Sequence, residues 1–296
     1  IDKIAEASLH LRLQDGNIYV LPGEKGGIQT TISKYAWKIA GLNVEILEPL
    51  RKLRITFNGL LKNQSCTDFE KVEHIQFNFI YTAICSPHFF PQDIDTALFA
   101  KAVASDHWRD GSWRNNMIHQ YGYEQLGTIK GFVKGDSYPV ENILNLPGNR
   151  SRTKGISDRF LLKRALRLIV IDEYGSIFNI ILKVLPEGNF QLNYGFALLS
   201  NERRYPITDI DLQMRHVGEH KTFPDCIKSR VKVNGKTYKI VVYLNKQKII
   251  SSSYTEYGYE YYTIPACHVD LYSGNGLVED AIRGEKVFIP PQMFKN

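Results

Sequence analysis

The chain has 296 residues, a formal net charge of +6, 43% hydrophobic and 23% charged residues. That balance excludes an intrinsically disordered chain, and no apolar run approaches the roughly 20 residues that a helix needs to span a bilayer. Between positions 150 and 167, seven basic groups (Arg150, Arg152, Lys154, Arg159, Lys163, Arg164 and Arg167) stand against one acid, Asp158, and this stretch equals the whole excess. The remainder is balanced, which excludes a generally basic nucleic-acid coat and leaves one local basic segment to explain.

Taken in chain order, the elements read as β-rich. Residues 23–27 (Gly-Glu-Lys-Gly-Gly) form a flexible turn with no helix start behind them, so they are not a phosphate cradle. Ile75, Phe77 and Phe79 alternate with His74, Gln76 and Asn78, the period-2 pattern of a half-buried strand. Residues 95–106 contain Ala97, Leu98, Phe99, Ala102 and Val103 without Gly or Pro, and predict a helix capped by Asp93 or Asp95. Residues 126–134 and 138–146 pair around Gly135-Asp136. A segment near 157–166 fits a helix or a strand. Residues 168–171 and 177–183 flank Asp172-Glu173-Tyr174-Gly175 as a hairpin, and Pro186-Glu187-Gly188-Asn189 separates the second of these from a strand at 190–199. Asn234-Gly235 between two β-branched runs predicts a type I′ hairpin over 231–244. Tyr254, Tyr257, Tyr259, Tyr261 and Tyr262 give a strand with a tyrosine face. Turn signals spaced close to 8–12 residues apart suit a sandwich or barrel. With two β halves, the junction falls at the basic stretch.

Four cysteines, Cys66, Cys85, Cys226 and Cys267, form no CxxC pair and do not suit zinc. They allow three disulfide pairings. Two early and two late residues make Cys66–Cys85 with Cys226–Cys267 the simplest, against four buried thiols in a cytoplasmic protein. The sequons Asn63-Gln64-Ser65 and Asn149-Arg150-Ser151, in loop-like sequence, favour a secreted glycoprotein. The chain starts at Ile1 without a signal segment, as expected of a processed or trimmed start.

The densest polar-aromatic region is 104–124. Trp108-Arg109-Asp110-Gly111 presents a cation and an anion beside a large ring, with Trp113, His119, Tyr123 and Glu124 following. Such a cluster lines a ligand pocket, or else fastens a loop by a buried Arg–Asp pair. His74, Gln76 and Asn78 share a strand face that either points into a cavity or is solvated. His216 and His220 are four apart, but Val217-Gly218 argues against a helix and no HExxH order is present, so no metal site is expected. No GxSxG, Walker loop or GxGxxG after a strand appears, and no cofactor is expected.

Residues 41–61 (GLNVEILEPLRKLRITFNGLL), 75–81, Trp108-Arg109-Asp110-Gly111-Ser112-Trp113, Gly122-Tyr123-Glu124-Gln125-Leu126-Gly127 and Gly148-Asn149-Arg150-Ser151-Arg152 together resemble the β-rich accessory domain of animal phosphoenolpyruvate-synthase-like proteins. The resemblance covers residues 40–155, and the rest by strand pattern. That domain is in turn similar to the AttH and carotenoid 1,2-hydratase group. The resemblance implies an all-β fold of two lipocalin-like antiparallel barrel or sandwich halves (1–155 and 156–296) with one or two short helices, and a cavity for a hydrophobic or aromatic small molecule. It does not carry over phosphotransfer. Where the family tends to show Ser-Trp-Gly, this chain has Thr153-Lys154-Gly155, so one pocket tryptophan is missing.

Three functions follow as expectations. The first is an enzyme acting on an apolar substrate without nucleotide or metal: a hydratase, isomerase, cyclase or luciferase-type oxygenase. Its acid–base groups are Asp110, His119, Glu124 or His74, with Arg109 polarising. His74, Asn78, Tyr81, Trp108, Trp113, Tyr123, Arg150 and Arg152 bind the ligand. The second is a non-enzymatic carrier of a hydrophobic ligand or pigment. The third is a recognition module that uses the basic stretch. No nucleic-acid partner is expected.

Overall fold

A computed structural model describes residues 7, 9–13, 17–21, 31–32, 35–64, 71–105, 120–155, 164–171, 175–184, 191–201, 203–214, 224–243, 250–254, 259–265, 268–274 and 283–288. In chain order the elements are β1 (His10–Arg12), β2 (Ile18–Val20), β3 (Thr31–Ile32), β4 (Ala36–Ile39), β5 (Leu42–Glu48), β6 (Lys52–Asn63), β7 (Val72–Ala83), β8 (His88–Phe90), α1 (Thr96–Ala104), β9 (Gln120–Gly135) and β10 (Tyr138–Gly155). They continue with β11 (Arg164–Ile171), β12 (Ile177–Val184), β13 (Gln191–Leu198), β14 (Arg204–Ile210), β15 (Cys226–Val233), β16 (Lys236–Tyr243), β17 (Ile250–Tyr254), β18 (Tyr259–Pro265), β19 (His268–Gly274) and β20 (Arg283–Phe288). The all-β expectation holds, and α1 is the one α-helix among the described residues. No helix among them is long and apolar enough to cross a membrane.

The chain divides into two compact units, residues 1–84 with 126–149, and residues 85–125 with 150–296. The first unit holds the strand order β10-β9-β7-β6-β5-β4-β3, with β2 paired to β6 and β1 to β2. β6 and β7 run antiparallel, with Leu53 opposite Tyr81, Ile55 opposite Phe79 and Phe57 opposite Phe77. The alternation predicted for Ile75, Phe77 and Phe79 is the buried face of β7. Phe77 stacks between Phe57, 5.5 Å away, and Phe79, 4.6 Å away. Each such ring removed from water contributes about 2–3 kcal/mol, so this face anchors the first unit.

In the second unit a nine-stranded sheet runs β16-β15-β14-β13-β12-β11-β19-β18-β17. Its antiparallel registers include the predicted hairpin of β11 and β12. The segment near 157–166 resolves from Arg164 onward into the strand β11, whose Leu166 and Leu168 belong to the core. That core also takes Phe178, Ile180 and Leu182 from β12, Ile207 and Ile210 from β14, and Ile227, Val231 and Val233 from β15. The Asn234-Gly235 hairpin forms as predicted, with Val233 opposite Lys236 and φ of +48° and +77° at the two turn residues. Only glycine takes the second of these without strain, so Gly235→Ala should cost about 1 kcal/mol in a urea melt even though a Cβ there meets nothing within 4 Å.

Helix α1 begins as predicted. The Asp95 carboxylate accepts from the backbone N–H of Ala97 at 3.0 Å and of Leu98 at 3.1 Å, satisfying two donors that the first turn leaves open. Leu98 and Ala102 are buried. On its exposed side Lys101 pairs with Asp209 at 2.9 Å, with 69% and 51% of the two side chains exposed. Solvent screens a pair this open, so Lys101→Ala should move stability by less than about 0.5 kcal/mol in the same melt.

The loop placement of both sequons is corrected. Asn63 ends β6 and Asn149 lies inside β10, and they are 4% and 1% exposed. Paired strands run longer here than the turn signals imply, and an asparagine amide buried in a sheet is not presented for glycosylation. Cys85 and Cys226 are half-buried; Cys66 and Cys267 lie outside the described residues.

Candidate functional site

The two faces of the sheet formed by β11, β12 and β13 differ in kind. On β12, Phe178, Ile180 and Leu182 enter the apolar core. Strand periodicity therefore turns Asn179, Ile181 and Lys183 to the opposite face. Register places Arg167 opposite Ile181 and Ile169 opposite Asn179. From β13, Phe196, Tyr194 and Leu192 stand opposite Asn179, Ile181 and Lys183. This second face is covered by β8, by the start of β9 and by α1. β8 pairs with β9 through His88 opposite Glu124 and Phe90 opposite Gly122. Phe90, Ala102, Ile181, Leu192 and Tyr194 pack together, with Ile94, Phe99 and Val103 against them.

Into this apolar layer the chain inserts a polar cluster. Glu124, 15% exposed, forms an ion pair with Arg167, 12% exposed. Asn179 is fully buried, and its Nδ2 donates to the Glu124 carboxylate at 2.6 Å, while its Oδ1 accepts from no group among the described residues. Two residues along the same face beyond Ile181, the Lys183 ammonium lies 4.4 Å above the Phe90 ring centroid and 5.7 Å from that of Tyr194. Glu124 is committed to Arg167 and Asn179, and Lys183 makes no ion pair with a carboxylate among the described residues. Burial, then the positive charge of Arg167, push its pKa down to about 8. Burial likewise pushes the Tyr194 phenol upward, with Arg167 opposing, so it stays protonated.

A second buried group adjoins this layer. His88 is 1% exposed and lies against the Phe196 ring at 5.0 Å. Its Nδ1 accepts from the Arg204 guanidinium at 2.9 Å. Arg204 also donates to Asp93 at 3.3 Å and to Ser86 at 3.2 Å. His88 Nε2 has no hydrogen-bond partner among the described residues. Burial and Arg204 hold the imidazole neutral, with its pKa lowered to about 4, and Asp93 opposes that shift.

Of the residues picked from sequence, Glu124 sits at the centre of the polar cluster. Tyr123, on the other face of β9, is buried with the Arg150 guanidinium 5.3 Å from its ring centroid and the edge of Phe89 at 5.9 Å. Arg150 is 1% exposed and Arg152 half-buried, so the basic stretch begins inside the protein and not as a surface patch. Trp108, Arg109, Asp110, Trp113 and His119 lie outside the described residues, as do His216 and His220. His74, Asn78 and Tyr81 belong to the first unit. His74 is exposed and its Nε2 meets Asn58 Oδ1 at 2.7 Å, while Tyr81 is a core residue. His74 and Glu124 fall in different units. No group of three metal-ligating side chains occurs among the described residues.

Sequence reasoning missed Lys183, Asn179, Arg167 and Tyr194. The available signal was Asn179 and Lys183 at a separation of four within the otherwise apolar strand Ile177–Val184. In a strand an even spacing puts both on one face, and two polar groups on a buried face demand an explanation.

Comparison with known proteins adds three findings. The model of a family of unknown function, DUF8627, matches residues 2–279. No curated protein matches the chain. A solved structure, kievitone hydratase from Nectria haematococca, matches over 91% of this chain and 88% of that one, at 9% identity and a TM-score of 0.37. At that score the two backbones diverge widely. Neither match is to a phosphoenolpyruvate-synthase-like protein.

Proposed function

We propose that this chain, which belongs to the family of unknown function DUF8627, is an acid–base enzyme acting on an apolar or aromatic small molecule at the Lys183 site. One observation carries the reading. An amine is held against two aromatic rings with no carboxylate partner among the described residues, and its pKa is lowered to about 8. A lysine near neutrality takes and returns protons at working pH, which an ordinary lysine does poorly. The neighbouring groups suit the rest of the task. Phe90 and Tyr194 offer ring faces to an apolar substrate. The free Oδ1 of Asn179 accepts a hydrogen bond from a substrate hydroxyl, and Arg167 favours negative charge developing on a substrate oxygen. Glu124 is a positioning residue here, holding Arg167 and Asn179 in place.

Proton removal next to a carbonyl, followed by protonation elsewhere, gives isomerisation. Delivery of a proton to a double bond, with water adding to the other end, gives hydration. The same base also generates the substrate carbanion that a cofactor-independent oxygenase passes to oxygen. The test is exchange in deuterated water. Aryl ketones and aryl enones are incubated with the protein, and deuterium at the carbon next to the carbonyl is followed by NMR. Lys183→Met should lower the exchange rate by roughly 100-fold or more, the usual scale for a positioned acid–base group. No exchange above buffer for any probe, or an unchanged rate in Lys183→Met, would remove the proposal and leave the carrier reading in its place.

A further inference from the structure

The surroundings of Lys183 point to a narrower ligand class. We propose that Lys183 is a carbonyl-capturing amine that holds an apolar aldehyde or ketone as an imine beside the contacting Phe90 and Tyr194 rings. This inference rests on the proposed function above and names the substrate class of the same site.

The geometry supplies the requirements one by one. The amine must be free of a salt bridge, because an ammonium locked to a carboxylate neither loses its proton nor turns to a ligand. Lys183 meets this condition among the described residues, where the Glu124 carboxylate is taken by Arg167 and Asn179. The amine must have free base available. With a pKa of about 8 in place of 10.5, roughly 300-fold more of it is unprotonated at neutral pH than in an exposed lysine. The groups that set this balance are Arg167 from β11, which opposes the ammonium, and the Tyr194 phenol from β13, which burial keeps neutral. Phe90 from β8 contributes a ring face and no charge. A capturing site must also stabilise the protonated imine once formed. Its positive charge would occupy the position where the ammonium already lies over two ring faces, at 4.4 and 5.7 Å.

The step balances simply. The Lys183 nitrogen lone pair attacks the carbonyl carbon, forming a C–N bond and a carbinolamine. The C–O bond then breaks, and the two amine hydrogens leave with the carbonyl oxygen as water. No oxidant or reductant takes part, and hydrolysis reverses the step. Lys183 is half-buried, and an ordinary lysine withdrawn from water is usually paired. The fully buried Asn179, whose Oδ1 accepts from no group among the described residues, is a separate sign that this face is built to receive a polar group.

Cinnamaldehyde is the probe, with cyanoborohydride to trap the imine at pH 7.4. Intact mass and peptide mapping locate the adduct. Cinnamyl alcohol, which has no carbonyl, reports non-covalent binding by saturation-transfer NMR. The wild-type chain should give one dominant adduct, on the peptide containing Lys183, at least about tenfold faster than on surface lysines. Lys183→Met and Lys183→Arg should lose it. Labelling spread over surface lysines and equal in all three proteins overturns the inference. Saturable binding of cinnamyl alcohol with no adduct on Lys183 also overturns it, while leaving the proton-transfer reading standing. Failure of both the adduct and the binding removes both. Should Lys183→Met not fold, Lys183→Arg and the wild-type adduct map decide alone.

Discussion

Glu124→Ala is expected to destabilise the second unit by about 3–5 kcal/mol, the largest single effect predicted for a side chain of the candidate site. The magnitude follows from what the substitution leaves behind. Arg167 is 12% exposed and forms an ion pair with Glu124. Asn179, fully buried, donates to the same carboxylate at 2.6 Å. Truncation takes one counter-charge from a guanidinium and the carboxylate acceptor from a buried amide, in surroundings where water replaces little of what is lost. The cost lies in the orphaned partners and not in the net worth of the pair. The double variant Glu124→Leu, Arg167→Met should therefore recover most of the loss, because it takes both charges away. Midpoints of urea unfolding at constant slope measure both quantities. A loss below about 1 kcal/mol in the single variant, or a double variant worse than the single, would show that the pair is not the buried element described here.

The strands and turns were legible because local rules fix them. Asn234-Gly235 names its own turn type, and Asp95 its own cap. Ile75, Phe77 and Phe79 reveal one face by period alone. Of the candidate site only Glu124 was legible, and for a different reason. Glu124 drew attention, with Tyr123 and Arg150 outside the site, as one of several polar and aromatic residues close in sequence or carried by a resemblance. Their partners did not, because they come from across the chain. Glu124 meets Asn179 at a separation of 55 residues, and His88 meets Arg204 at 116. Nothing in a single sequence announces such pairs. Lys183 was hidden by its surroundings in another way. The strand Ile177–Val184 reads as an apolar run, and an apolar run hides the period that would assign Lys183 to a face. Asn63 and Asn149 show the opposite error. A short motif was read as a loop signal where extended pairing decided the structure.

Acid should weaken the protein through His88 before its carboxylates are neutralised. The folded imidazole has a pKa of about 4, against an ordinary value of 6.5. Above pH 6.5 it is neutral in both the folded and the unfolded chain, and its contribution is complete. Between 6.5 and about 4 the unfolded chain takes the proton and the folded one does not, so stability falls steadily with pH. Below about 4 both are protonated and this group adds no further slope. The total is about 3 kcal/mol, taking 1.4 kcal/mol per pH unit. The cause is local and one-sided. The side chain is 1% exposed and packs on Phe196. Arg204 donates to Nδ1 at 2.9 Å and repels a second positive charge. Asp93, 4.0 Å away, opposes the shift, but Arg204 also engages it, at 3.3 Å. His88→Gln keeps an acceptor for Arg204 and removes the titration. Unfolding free energies from pH 7.5 to 4.5 should therefore fall by about 2–3 kcal/mol more in the wild-type chain than in the variant. Equal slopes in the two proteins would mean that His88 binds its proton as readily folded as unfolded, and that the Arg204 contact does not hold it neutral.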